Sequence, residues 1–174
     1  MLVSNTTVEK ALLFAAKKHA GQTRKGNELP YIIHPLRIVS ILLEVKESKN
    51  INLLLCAAIL HDCVEDCGVS LKKIAKKFGV HVAGLVEELT LDKEKYETIG
   101  KTKYLCQEVL KMSSYALCLK LCDRLDNIRD MKSMDTLFKT RYADETRQIL
   151  LALNDRKLTK THQKLIKLIK KEIK

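Results

Sequence analysis

The sequence predicts an all-α protein, and three observations support this fold class. Glycine and proline number only 6 and 2 among the 174 residues. Runs of strand-forming residues are few, while Leu, Ile, Ala, Lys and Glu dominate the composition. Apolar residues recur at helical spacing along most of the chain. Because no repeat or Pro/Ser-rich linker divides the sequence, its length predicts one domain over residues 1–174.

Residues typical of helix termini indicate where the first helices begin and end. The segment "TTVEKALLFAAKKHAG" begins with a capping-box pattern from Thr6 to Glu9 and closes at Gly21. After the polar loop "QTRKGNELPY", the segment "HPLRIVSILLEV" predicts a helix with Pro35 in its first turn. The segment "INLLLCAAILHDCVEDCG" is apolar on nearly every face up to His61, which predicts a buried central helix.

The second half of the chain continues the helical pattern. The segment "SLKKIAKKFG" predicts a helix with Ser70 as its N-cap and Gly79 at its C-terminal end. The segment "VHVAGLVEELT" predicts another short helix. The charged segment Asp92–Thr102 is expected to be mobile. The segments "KYLCQEVLKM" and "YALCLKLCDRLDNIRDM" are helical, and two more helices carry the chain to its end.

The last segment, from Arg156 to Lys174, is strongly basic. Its eight Lys/Arg and one Glu contribute +7 to a net charge of +11. We expect an amphipathic helix docked on the body, with its lysine face in solvent. Binding of nucleic acid or an anionic membrane is the alternative, but the segment lacks aromatic stacking residues. The expected apolar stripe consists of Leu158, Leu165, Leu168, Ile169 and Ile173.

Composition also predicts the compartment. No apolar stretch is long enough to span a bilayer, and the N-terminus lacks a signal-peptide pattern. The six cysteines show no C-x-x-C spacing and occur in helical patterns, so we interpret them as reduced. We therefore predict a cytoplasmic protein with no membrane contact.

Four polar residues end the central apolar segment. His61, Asp62, Glu65 and Asp66 occur within six residues, with no Lys or Arg among them. On a helix, His61 would stack over Glu65 and Asp62 over Asp66. Burying such a carboxylate patch without a cation would cost roughly several kcal/mol. A divalent metal held by His61 and Asp62 removes this cost.

Further ligands are needed to complete a metal shell. His34 stands just before Pro35 at a loop-to-helix junction, and Asp123 follows the apolar "YALCLKLC". A site that has imidazole and carboxylate ligands, and that leaves coordination positions on the metal open, suits Mn²⁺, Fe²⁺ or Zn²⁺. Glu65 and Asp66 would orient or deprotonate the attacking water, or else only balance charge around the metal. The other histidines, His19, His81 and His162, are interpreted as structural.

These residues resemble the H…HD…D signature of HD-domain metal phosphohydrolases. Three longer stretches are similar to the hydrolase domain of RelA/SpoT proteins. "GQTRKGNELPYIIHP" resembles its R-K-S-G-E-P-Y-I-x-H-P motif, "LHDCVED" resembles L-H-D-x-x-E-D, and "KLCDRLDNIRDM" resembles K-x-x-D-R-L-H-N-x-R. Their order and spacing agree with that family over roughly residues 6–150.

The resemblance implies an all-helical HD bundle around a single metal site in a stand-alone small alarmone hydrolase. It implies manganese-dependent (Mn²⁺) removal of pyrophosphate from the 3′ position of (p)ppGpp, leaving GDP or GTP. The implied metal ligands are His34, His61, Asp62 and Asp123. The implied catalytic pair is Glu65 and Asp66. The implied substrate contacts are Arg24, Lys25, Tyr31, Asn127 and Arg141.

Two other functions stay open at this point. The same metal site would serve an HD phosphatase of another nucleotide, such as an NADPH 2′-phosphatase or a nucleotidase. A catalytically dead HD module could instead bind nucleic acid through the basic tail, although the intact set of metal ligands argues against it. The predicted partner is a small anionic nucleotide, nucleic acid is not expected, and the sequence leaves the oligomeric state open.

Overall fold

The computed structural model describes residues 6–26, 28–46 and 48–173, apart from the side chain of Lys132. Within these ranges the chain forms eleven α-helices and two short 3-10 helices. The only extended pairing there is an isolated bridge between Thr23 and Pro30. The predicted all-α class is therefore confirmed. Among the described helices, none is both long enough and apolar enough to cross a bilayer.

The chain divides into two compact units between Thr90 and Leu91. The N-terminal unit is built around helix α3, which contacts α1, α2 and α6 and is buried along most of its length. The predicted buried central helix is thus confirmed. The helices of this unit are α1 (Thr7–Lys18), α2 (Ile33–Val45), α3 (Ile51–Leu60), α4 (Cys63–Cys67), α5 (Leu71–Phe78) and α6 (Val80–Leu89).

The predicted continuous helix through His61 is wrong, because α3 ends at Leu60 and α4 begins at Cys63. Nδ1 of His61 lies 2.8 Å from the carbonyl oxygen of Ala58. The side chain thus bonds to a carbonyl in the last turn of α3, a local contact that competes with continuation of the helix. His61 and Asp62 form a two-residue turn between the helices.

The predicted helix ends are confirmed where their caps are visible. The Thr6 side chain accepts a hydrogen bond from the backbone N–H of Glu9 at 3.2 Å. The Ser70 hydroxyl accepts from the N–H of Lys73 at 3.3 Å. These caps satisfy N–H groups that a first turn leaves without helical partners.

The C-terminal unit begins with a helix that the sequence analysis missed. The segment Asp92–Thr102, expected to be mobile, contains α7 and the start of α8. The Asp92 side chain caps α7 by accepting from the N–H of Lys95 at 3.1 Å. The hydroxyl of Tyr104 accepts from the N–H of Asp92 at 2.9 Å and ties that cap to α8. The helices of this unit are α7 (Lys93–Ile99), α8 (Lys101–Lys111), α9 (Ser114–Asp130), α10 (Thr136–Ala152) and α11 (Lys160–Glu172).

The basic tail forms α11, which packs on α9. The helix begins after its N-cap Thr159 rather than at Arg156, and its predicted last residue, Lys174, lies outside the described residues. Leu165 and Ile169 are buried, whereas Leu158 and Leu168 are half-buried. The prediction of a docked amphipathic helix is confirmed. Its exposed lysines are Lys160, Lys164, Lys167, Lys170 and Lys171.

Candidate functional site

The loop between α1 and α2 is closed by its own backbone. The N–H of Arg24 donates to the carbonyl of Leu29 at 3.0 Å, and the N–H of Tyr31 donates to the carbonyl of Gln22 at 2.9 Å. This closure holds Arg24 and Tyr31 at the entry to α2. Lys25 is exposed beside Arg24.

The turn after α3 orients His61 and Asp62. A carbonyl oxygen only accepts, so Nδ1 of His61 donates to Ala58 and carries the proton of the neutral ring. Nε2 is then the lone-pair nitrogen, and it lies 2.9 Å from Oδ2 of Asp62. Two electron-rich atoms at this distance need a proton or a cation to stabilise them.

His34 joins the same cluster from the first turn of α2. Its Nε2 lies 3.7 Å from Oδ2 of Asp62. Its ring centroid is 5.3 Å from that of His61, and both imidazoles are at most 5% exposed. The structure therefore brings together the side chains of His34, His61 and Asp62.

Tyr31 connects this cluster to the loop. Its hydroxyl donates to Oδ2 of Asp62 at 2.6 Å. Burial, and then the negative charge of Asp62, raise the pKa of the Tyr31 phenol far above its usual range, so the hydroxyl stays a donor. The guanidinium carbon of Arg24 lies 5.4 Å from the centroid of the Tyr31 ring, within cation–π distance.

The three clustered side chains fit a divalent transition metal. Their donor set is two imidazole nitrogens and a carboxylate oxygen, as such ions prefer. Metal-bound histidines usually donate their second nitrogen to a carbonyl or carboxylate. The contact of His61 Nδ1 with the Ala58 carbonyl would supply such a bond and leave Nε2 to face a metal.

Helix α4 carries the two predicted catalytic carboxylates. Glu65 and Asp66 are both exposed. The N–H of Asp66 donates to the carbonyl of Asp62 at 2.8 Å, so the carboxylate pair follows the metal cluster by one helical turn. Gly68 ends this helix with a left-handed φ of 62°, a conformation that glycine adopts without strain.

The C-terminal unit holds the remaining predicted residues. Asp123 on α9 is 8% exposed. Its Oδ1 accepts from Nδ2 of Asn127 at 2.6 Å, and its Oδ2 lies 3.1 Å from Nζ of Lys120. The predicted shared face of Asp123 and Asn127 is thereby observed. Arg141 is exposed on α10.

Sequence reasoning missed His19 and Gln22, which contact the residues around the cluster. His19 was interpreted as a structural histidine in a lysine-rich turn, yet its ring stacks on Tyr31 with centroids 4.6 Å apart and an 18° interplanar angle. Its Nδ1 lies 2.7 Å from Oε1 of Gln22. The one available signal is that two polar residues stand three apart where α1 ends.

The cysteines near this site are thiols. All six cysteines are free, in agreement with the prediction. Burial raises the pKa of the Cys63 thiol to about 12, which keeps it protonated at neutral pH.

The chain is similar to proteins of known function. The family model for the HD domain matches residues 11–158. The guanosine-3′,5′-bis(diphosphate) 3′-pyrophosphohydrolase MESH1 of Drosophila melanogaster is 40% identical over 124 residues, which cover 71% of this chain and 68% of that protein. The human MESH1 is 39% identical over 119 residues, covering 68% and 65%.

A longer bacterial protein and a solved structure extend these similarities. The guanosine-3′,5′-bis(diphosphate) 3′-pyrophosphohydrolase of Aquifex aeolicus is 34% identical over 158 residues, and the match covers 86% of this chain but 21% of that protein. The solved structure is described as a metazoan orthologue of SpoT that hydrolyses ppGpp. It superposes with a TM-score of 0.79 at 28% identity and covers 98% of both chains.

Proposed function

The chain belongs to the HD domain family, and we propose that it is a (p)ppGpp 3′-pyrophosphohydrolase. One observation from the N-terminal unit carries the proposal. A single loop presents Arg24 against Tyr31, and Tyr31 hydrogen-bonds the carboxylate of Asp62. An anion-binding guanidinium is therefore joined, through one aromatic ring, to a cluster suited to a metal. Metal-assisted hydrolysis of a phosphorylated nucleotide would use both features, the guanidinium to bind phosphate and the metal to stabilise developing charge.

We propose Mn²⁺ as the metal, held by His34, His61 and Asp62, with Asp123 as the fourth ligand. The first three are supported by their mutual contacts, and Asp123 is supported by the sequence motif that contains it. A divalent ion would polarise phosphate oxygens and stabilise negative charge that develops during the reaction. Tyr31 holds Oδ2 of Asp62 in place by donating to it.

The reaction adds water to a phosphorus of the 3′ diphosphate. The new bond joins the water oxygen to phosphorus, and the bond from phosphorus to the ribose 3′ oxygen breaks. We propose that Glu65 and Asp66, exposed on α4, orient this water and accept its proton. The 3′ oxygen gains a proton as pyrophosphate leaves, so ppGpp yields GDP and pppGpp yields GTP.

Substrate contacts are proposed around this reaction centre. Arg24 offers a planar fork for phosphate oxygens and can also stack on a base. Lys25, exposed beside it, adds a second positive charge. Asn127 and Arg141 are proposed as further contacts on the basis of the family resemblance. We also propose that the enzyme works in the cytoplasm, since free thiols are typical of reducing compartments.

Nucleotide separation tests the function directly. The protein is incubated with ppGpp and Mn²⁺, and the products are resolved by anion-exchange chromatography, with Asp62→Ala as the inactive control. We expect GDP and pyrophosphate in equal amounts, no turnover after EDTA, and recovery when Mn²⁺ is added back. Parallel incubations contain pppGpp, NADPH and a 5′-nucleotide. Release of orthophosphate from NADPH or the 5′-nucleotide, with ppGpp intact, would overturn the proposal.

A further inference from the structure

Gln22 links the end of α1 to helix α4. Its Nε2 lies 3.3 Å from the carbonyl oxygen of Asp66 and 3.9 Å from Sγ of Cys67. Because the carbonyl can only accept, the Gln22 amide group donates there. The other end of the amide is then the carbonyl oxygen Oε1, which faces Nδ1 of His19 at 2.7 Å. Nδ1 of His19 therefore carries a proton and donates to Gln22.

The two thiols on α4 make the other contacts of the His19 ring. Sγ of Cys67 lies 3.3 Å from Nδ1 and 3.8 Å from Nε2, and Sγ of Cys63 lies 3.7 Å from Nε2. With the proton on Nδ1, Nε2 is an acceptor to which the Cys63 thiol can donate. A chain of hydrogen bonds runs from Cys63, at the start of α4, through His19 and Gln22 to Asp66 near its end. A helix of only five residues depends on such tertiary support.

The ring of His19 makes a second, different contact. It stacks on Tyr31 at 4.6 Å, and the Tyr31 hydroxyl donates to Asp62 at 2.6 Å. The stacked imidazole therefore limits where the phenol can place its hydroxyl. The ring is 3% exposed, and burying imidazole is unfavourable unless its nitrogens are bonded. Here both nitrogens bond to groups that reach α4.

We propose that His19 and Gln22 are positioning residues with two separable effects. Through stacking on Tyr31, the His19 ring sets the orientation of Asp62 and hence the affinity for metal. Through the Nδ1 proton and Gln22, the hydrogen-bond chain sets the backbone of α4, which carries Glu65 and Asp66. The kinetic part of the inference rests on the proposed ppGpp hydrolysis, and the Mn²⁺ part rests on the proposed metal ligands.

Two substitutions at one position separate the effects. His19→Phe keeps a stacking ring but removes the donor, while His19→Asn places an amide donor near the position of Nδ1 but removes the ring. Gln22→Leu should behave like His19→Phe, because it breaks the same chain. His162→Asn is the matched control, since His162 is a buried histidine whose Nε2 bonds the carbonyl of Ser114 in the C-terminal unit.

Three quantities are measured on each full-length variant: Mn²⁺ affinity by electron paramagnetic resonance titration, kcat and KM for ppGpp, and Tm. For His19→Phe and Gln22→Leu we expect kcat to fall about five- to ten-fold, the value of about one hydrogen bond, with Mn²⁺ affinity nearly unchanged. For His19→Asn we expect Mn²⁺ affinity to fall about ten-fold, as when a group supporting a metal ligand is removed. His162→Asn should lower Tm alone.

Other outcomes overturn the inference. If His19→Phe and His19→Asn lower Tm as the control does, and leave kcat and Mn²⁺ affinity of the folded protein at wild-type values, then His19 is only structural. Equal losses of both quantities in both variants would refute the separation of effects. If wild-type protein does not cleave ppGpp, the proposed function fails. In that case Mn²⁺ affinity still tests the ring contact, and amide hydrogen exchange in α4 tests the hydrogen-bond chain.

Discussion

The hydroxyl of Tyr31 donates to Oδ2 of Asp62 at 2.6 Å, which joins the loop after α1 to the turn after α3. The same carboxylate oxygen lies 2.9 Å from Nε2 of His61 and 3.7 Å from Nε2 of His34. Tyr31 therefore acts on a proposed metal ligand through a short, charge-assisted hydrogen bond. The substrate contact that the family resemblance implies for Tyr31 stays a prediction, and the observed hydrogen bond joins its hydroxyl to Asp62.

Tyr31→Phe tests this contact. The variant keeps the ring against Arg24 and His19 but removes the hydroxyl that donates to Asp62. We expect Mn²⁺ affinity to fall about ten-fold, within the range for lost support of a metal ligand, while KM for ppGpp changes less than two-fold. Tyr96→Phe, on α7 in the C-terminal unit, is the control. A raised KM with unchanged Mn²⁺ affinity would assign the hydroxyl to the substrate instead.

Asp62 and Glu65 are expected to differ in role. Asp62→Ala should lose metal, because its carboxylate contacts both imidazoles of the cluster. Glu65→Gln should keep metal but lose most turnover, because the amide cannot accept the proton of the attacking water. Metal content of the purified variants, measured by mass spectrometry, is compared with kcat. Equal loss of metal in both variants would contradict the assignment of Glu65 as a catalyst.

The buried Arg124 should be needed for stability. Its Nη1 lies 2.7 Å from Oε1 of Glu145 and 3.2 Å from the Thr146 hydroxyl, and its guanidinium lies 4.5 Å from the centroid of the Tyr142 ring. Arg124→Met removes this partner of Glu145. Breaking a buried ion pair lowers the free energy of unfolding by about 3 kcal/mol. Calorimetry should show Tm lowered by about 6–12 °C.

The matched control for Arg124 is Arg129→Met. Arg129 pairs with Glu172 at 3.1 Å, but their side chains are 40% and 35% exposed. Exposed pairs contribute less than about 1 kcal/mol, so Tm should fall by no more than about 4 °C. Similar shifts in the two variants would show that the buried network adds little to stability.

Local patterns predicted the helix ends and much of the fold. Thr6, Ser70 and Gly79 were identified from sequence because a cap depends on residues three or four apart. The break at His61 was not, because no glycine or proline marks it in the sequence and the competing bond to Ala58 involves a side chain. Helix α7 was missed for a similar reason. Its charged composition favoured a mobile segment over a helix. The hydrogen bond from Asp92 to Tyr104 spans twelve residues, so local patterns do not predict it.

The candidate site was also predicted only where the contacts are local in sequence or belong to a motif. The spacing of His61 and Asp62 predicted that both could reach one ion, and the structure places His34 with them. The roles of His19 and Gln22 depend on contacts with residues more than forty positions away, such as Cys63 and Asp66. Periodicity carries no information about such contacts. The roles of Glu65, Asp66, Asn127 and Arg141 stay predictions, and Glu65→Gln tests the first of them.

Arg24 and the basic tail decide between a nucleotide hydrolase and a nucleic-acid binder. If the substrate is a small nucleotide, the contact that matters is local to the loop. Arg24→Ala removes a guanidinium that can pair with phosphate, a bond of about 1.5–3 kcal/mol, so kcat/KM for ppGpp should fall roughly ten- to hundred-fold. Arg24→Lys keeps the charge but not the planar fork, and it should recover only part of the loss.

The tail should matter little for turnover. Lys164, Lys167, Lys170 and Lys171 are exposed on α11, and salt screens such charges beyond about 8 Å. Their combined neutralisation to glutamine should leave kcat/KM near wild type. A nucleic-acid binder would show the opposite ranking, with RNA or DNA affinity lost in the tail variant and falling steeply with salt. Turnover and nucleic-acid binding are therefore measured for both variants at two salt concentrations. A tail variant that hydrolyses ppGpp poorly, beside an Arg24→Ala enzyme of normal activity, would rule out the loop as the substrate contact.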